Sequence, residues 1–148
     1  MIPEARIINP EVRALAERAR SYVDRFAWCD KVTGCDLGFA IAGVLGVFRV
    51  ELQPAGAGVD PSVWVVVGDV PPAYIAYDAG DTWQDALRGY THEMKAWADA
   101  VRAGESTRDL IPVDAAPTAL NVDMLSSRLA FIRERLLDVP ADVLEGDA

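Results

Sequence analysis

Apolar residues recur along the chain with two different periods, and the switches between them mark the elements. The first helical stretch opens at Asn9-Pro10-Glu11. Asn caps a helix start, Pro suits the first helical position, and Glu complements the positive end of the dipole. Val12, Leu15, Ala16, Ala19, Tyr22, Val23 and Phe26 then share one face, with Arg13, Glu17, Arg20 and Asp24 opposite. That spacing predicts an amphipathic helix over residues 10–28.

Asp30 to Gly38, with Gly34 and Asp36, reads as a loop. Past Gly46 the period drops to two: Phe48, Val50 and Leu52 alternate with Val47, Arg49, Glu51 and Gln53, as in a half-buried strand. Pro54 to Gly58 is a loop. Ser62-Val63-Trp64-Val65-Val66-Val67 is apolar at both parities, which predicts a central strand covered on both faces. Gly68 to Pro72 breaks it, because proline donates no ladder hydrogen bond, and Ala73 to Tyr77 returns as a third strand beside the second.

A second long helix follows, capped by Asp81 or Thr82. Trp83, Leu87, Tyr90, Met94, Trp97 and Val101 form its stripe, and Gly104 stands where a terminating glycine belongs. A connection over residues 105–117 is anchored by Leu110 to Val113. The last helix is expected over residues 118–137, with Leu125, Leu129, Ile132 and Leu136 on one side. Pro140 would stop it, leaving residues 141–148 as a frayed acidic tail. The expected fold is α+β, a three-stranded antiparallel β-meander packed with three α-helices in the order α-β-β-β-α-α, as a single domain over residues 1–148. Two free sheet edges and a strand apolar on both faces also lead us to expect a homodimer.

Composition narrows the class. Of 148 residues, 51% are hydrophobic and 25% charged, enough for a core and too apolar for a disordered chain. The net charge of −9 repels phosphate backbones, so no nucleic acid is expected as a partner. Residues 1–28 carry a net of +1, and the negative charge lies beyond them. Arg outnumbers Lys among the cations, a bias we read as that of a GC-rich bacterial genome. The N-terminus lacks a basic region leading into an apolar one, and Arg49 and several glycines interrupt the most apolar run, Leu37 to Val50. That run falls short of the ~20 apolar residues a spanning helix needs, so we expect a cytoplasmic chain with no membrane partner.

Candidate chemistry is sparse. Catalytic and phosphate-binding motifs of fixed spacing are missing from the sequence, so no catalytic residue is assigned and no cofactor is expected. His92, the one histidine, reads as a general base or as an ordinary, partly exposed helix residue. Cys29 and Cys35 are separated by five residues, wider than a zinc knuckle allows, and with a single His no metal site is expected. Cytosolic cysteines are expected to stay reduced. Asp69, at the end of the strongest strand, could line a cleft or accept the hydrogen bonds of an Asx turn. Pro71-Pro72-Ala73-Tyr74 has the spacing of a WW-domain ligand, but its place at a strand start reads as a rigid turn. Trp64, flanked by Val63 and Val65, is a candidate for facing a partner.

The segment from Val63 through Gly68-Asp69-Val70-Pro71-Pro72-Ala73-Tyr74, the Trp-bearing helix after it, Ile111-Pro112-Val113 and Met124 to Leu129 resemble a family of uncharacterised bacterial proteins of about this length. The resemblance implies a single domain and brings no activity or site residue with it. Two functions follow as expectations. The first is a non-catalytic protein-binding module acting as a homodimer, compatible with an acidic inhibitor or immunity-like partner of a basic target. The alternative is a small-molecule binder or enzyme whose site gathers Asp69, Tyr74 and His92.

Overall fold

A computed structural model describes residues 1–77 and 80–138. A two-residue strand β1 (Ile2–Pro3) and a 3-10 turn (Glu4–Arg6) precede helix α1 (Pro10–Asp24). Four strands follow in sequence, β2 (Cys29–Ile41), β3 (Leu45–Pro54), β4 (Ser62–Gly68) and β5 (Ala73–Ala76). Helices α2 (Trp83–Ala103) and α3 (Ala119–Ile132) complete the chain, α3 running on into a π turn (Arg133–Leu137).

The class is α+β, as read from the sequence, but the sheet has five strands rather than three, all antiparallel, in the order β1-β2-β3-β4-β5. The segment expected as a loop over 30–38 is the first part of the 13-residue β2. Its ladder with β3 shifts register between Cys29 and Lys31, Val32 and Gly34, and Leu37 and Phe39. Each bulge reverses which face the next residues meet, so the alternation that reveals β3 never develops in β2. β1 is too short to carry any pattern.

The caps hold the helices where the sequence placed them, with one shortening. Asn9 accepts from the N–H groups of Glu11 (2.8 Å) and Val12 (3.3 Å), and Thr82 from that of Asp85. Gly104 ends α2 in the left-handed conformation, φ 70°. Helix α1, however, stops at Asp24, four residues before the expected end, and Phe26 and Trp28 lie in the turn beyond it. The stop at Pro140 and the tail 141–148 fall outside the described residues.

The strands part the core in two. Phe48, Val50, Val63, Val65 and Val67 face α1 and pack on Leu15, Ala19 and Val23. Leu45, Val47, Trp64, Val66 and Ile75 face α2 and α3 and pack on Leu87, Tyr90, Met94 and Leu129. The Leu37–Phe39 bulge shows its effect here: Leu37 joins the α1 side and Phe39 the other. Gly38 beside them lets Trp83 come close enough to stack on Phe39, ring centroids 4.3 Å apart. At the far end, the N–H of Asp69 donates to the Val44 carbonyl (2.7 Å), and the φ of 137° at Gly68 leaves no room for a Cβ against that carbonyl. Among the described residues no helix is long and apolar enough to cross a membrane.

Candidate functional site

The four residues singled out from the sequence are dispersed. Trp64 is 1% exposed; its indole stacks on Tyr77 and donates to the Gly80 carbonyl at 3.0 Å. It is a core residue and does not face a partner. Tyr74, half-buried, lies on the α1 side among the rings of Tyr22, Phe26 and Trp28. His92 sits on the solvent side of α2, on the other side of the sheet, between the buried Thr91 and Met94.

Asp69 is exposed beyond the end of β4, where its carboxylate accepts from Nε and Nη2 of Arg128 (3.3 and 3.1 Å). With Pro71, Pro72, Met124 and Arg128 it borders a shallow cavity of about 280 Å³ that neither Tyr74 nor His92 lines. An ion pair so open to water contributes little. The three polar candidates therefore do not share a site.

Two further features lie outside these candidates. On β3, Arg49 donates through Nη2 to Asp36 (2.9 Å) and Glu51 (3.0 Å). Desolvation alone would lower its pKa, but Tyr77, Asp36 and Glu51 together hold it above the ordinary value. Asp36 was hidden because its strand read as a loop. The second feature is the pair of cysteines, which are free thiols, both buried. They lie six residues apart on one strand, on the order of 20 Å in extended chain, beyond the reach of a disulfide. Burial pushes the Cys35 thiol up to about 12, so it is protonated and unreactive at neutral pH. Among the described residues no group of three or more His, Cys, Asp or Glu gathers as metal ligands.

A large concavity lies at the outer edge of β2. β1 pairs there only with Asp36 and Leu37, so from Gly38 to Ile41 that edge has no strand partner among the described residues. In an antiparallel sheet alternate residues direct both N–H and C=O outward, and along this stretch those groups await a partner. A groove of about 940 Å³ runs along the edge. Phe131, Arg135 and Leu136 of the C-terminal helix form one wall, and Met1, Ile2 and Val12 border the other side. Among the described residues, Arg135 is the one with a charged side chain in the lining. Three of the large hydrophobics left open to solvent collect here: Met1 at 59%, Ile2 at 47% and Phe131 at 42% exposure.

An open ladder flanked by apolar walls is suited to receiving an extended polypeptide: the backbone supplies hydrogen bonds, and the walls take its alternate side chains. The signal in the sequence was the uncharged run Gly38-Phe39-Ala40-Ile41-Ala42, whose glycine and bulge conceal a strand. Comparison with protein-family models, curated proteins and solved structures returned no match, so the geometry alone guides the functional reading.

Proposed function

We propose that the chain is a non-catalytic protein-binding module acting as a homodimer, and that its docking surface is the outer edge of β2. The supporting observation is the coincidence of an unpaired strand edge over Gly38–Ile41 with the apolar groove of about 940 Å³ along it. Strand addition explains why ladder groups and exposed apolar side chains occur together at one place. The net charge of −9 adds long-range steering toward a basic partner, in the manner of an acidic inhibitor or immunity protein.

Panning a phage-displayed library of random linear peptides against the protein tests this reading. Peptides are expected to enrich with alternating apolar positions and to lose binding to the Phe131→Glu variant. Failure to enrich any, or enrichment that ignores Phe131→Glu, counts against the edge as a docking site.

A further inference from the structure

We infer that the chain's own residues 139–148 cover the groove along β2, and that a partner polypeptide must displace them to dock. This inference rests on reading the groove as a polypeptide-docking site, and it says what regulates that site. Its first support is the place where the described chain ends. Arg135 and Leu136 belong to the groove wall, and Asp138 stands two residues beyond them. Pro140 then cannot continue the helix, and it turns Val139 away from helical backbone. Ten residues reach at most about 33–36 Å when extended, whereas the groove from Leu37 to Ile41 runs for about 13 Å. The segment therefore starts at the rim and is long enough to turn and lie along the whole groove.

Composition is the second support. Val139, Val143 and Leu144 are bulky apolar residues suited to walls that expose Met1, Ile2 and Phe131. The segment's charged side chains, Asp142, Glu145 and Asp147, are all acidic. Among the described residues Arg135 is the one charge in the lining, and no described carboxylate lies within ion-pair distance of it. Charge orients the segment, and the apolar side chains hold it. Tethering does the rest. A segment joined directly to the wall meets the groove at an effective concentration on the order of millimolar, so contacts too weak to retain a free peptide suffice. The same weakness lets a better-fitting strand replace it.

A nitroxide attached at Ala148→Cys in the full chain tests the inference, because the native thiols of Cys29 and Cys35 are buried. Paramagnetic broadening is expected at the amides of Ile2 and residues 38–42, and the added pair Val143→Ser and Leu144→Ser should abolish it. Without the nitroxide, the same serine pair should bind peptides selected by panning about threefold or more tightly than wild type. Broadening that survives the serine pair overturns the inference, since a tail that touches nothing would sweep past the groove in both chains. Broadening of isotope-enriched, nitroxide-free chains mixed with nitroxide-bearing ones also overturns it, because the contact then comes from a neighbour. Equal peptide affinity in wild type and the serine pair rejects the cover and keeps the docking site. If no peptide depends on Phe131, the docking reading fails, and the cover with it loses its regulatory role.

Discussion

Strands β4 and β2 are apolar strands of the same sheet, yet one is enclosed and the other is open. β4 is flanked by β3 and β5 and roofed on both sides, so Val63 through Val67 are all buried. From Leu37 to Ala42, β2 is half-buried throughout, and past Leu37 it has no strand partner on its outer side among the described residues. In sequence β4 looks like the strand with apolar surface to spare, because both parities are hydrophobic. The fold bears out the other reading of that pattern, a central strand covered on both faces: the chain's own helices enclose β4, and the unsatisfied surface belongs to the strand with the weaker pattern. Hydrophobicity at both parities reports a three-layer architecture, whereas an open edge shows only in the pairing.

The comparison predicts two kinds of variant. Changes on and around β4 should cost stability and leave association alone, and changes at the β2 groove should do the reverse. The largest effect is expected for Trp64→Ala. It removes a fully buried indole between Tyr77 and the α2 side, and cores of this kind lose about 3–5 kcal/mol on such truncation. Urea titration followed by circular dichroism measures it, and a loss below about 1 kcal/mol would mean that β4 is less enclosed than its burial implies.

Alkaline pH reaches the enclosed side from a different direction. The Cys35 thiol, buried between β2 and α1 with its S–H directed at the Ala16 carbonyl, has its pKa raised from 9.0 to about 12. Desolvation by burial is the main cause, with Glu4 next. For an acid raised in this way the native state holds its proton longer than the unfolded state. Its contribution is therefore complete below pH 9 and declines as pH climbs toward 12. Burial raises the pKa of Tyr90 as well, which adds in the same sense at higher pH. At pH 10.5 the Cys35 share amounts to about 2 kcal/mol. Cys35→Ala should flatten the decline between pH 8.5 and pH 10.5 in denaturation curves, and an unchanged slope would remove Cys35 as its cause.

How much of this was legible beforehand depended on whether a residue's neighbours were local. Helix stripes, the Asn9, Thr82 and Gly104 caps, and the alternation in β3 are set by spacing along the chain, and they recur in the fold except at Phe26, which falls beyond α1, and Val47, which is buried on the second face. β2 was illegible because its face assignments pass through three bulges, and a bulge is recognised only against the partner strand. Asp69, Tyr74 and His92 were grouped as polar residues near strand ends and on a helix. Which side of the sheet each occupies follows from the direction α1 and α2 take across it, and no spacing records that. The groove was harder still, since residues near the two chain ends, Ile2 and Phe131, border it together.

A smaller effect tests the loop that closes the enclosed side. Tyr90 is fully buried, and its hydroxyl donates to the Pro71 carbonyl at 2.6 Å, tying α2 to the turn between β4 and β5. Tyr90→Phe keeps the ring and leaves that carbonyl without its donor, a loss of about 1–2 kcal/mol. Thermal unfolding followed by calorimetry reads it. Because the turn lies on the β5 side of the sheet, the sedimentation behaviour of this variant should match wild type.

The smallest stability effect is expected where the association effect is largest. Phe131 leaves 42% of its surface in water on the outer side of α3, away from Val122, Leu125, Leu129 and Ile132, which anchor the helix. Replacing it by Glu removes contacts that the monomer barely makes. It also leaves the Thr118 cap, which accepts from the Asn121 N–H, intact. The monomer's unfolding free energy should shift by no more than about 0.5 kcal/mol, as for surface positions generally. Denaturation must be measured at low protein concentration, because any native-state association would otherwise add its own mass-action stability to wild type alone. A loss of 2 kcal/mol or more under those conditions would place Phe131 in the core of α3. The groove would then be an outgrowth of the enclosed layer, and the contrast between β4 and β2 would collapse.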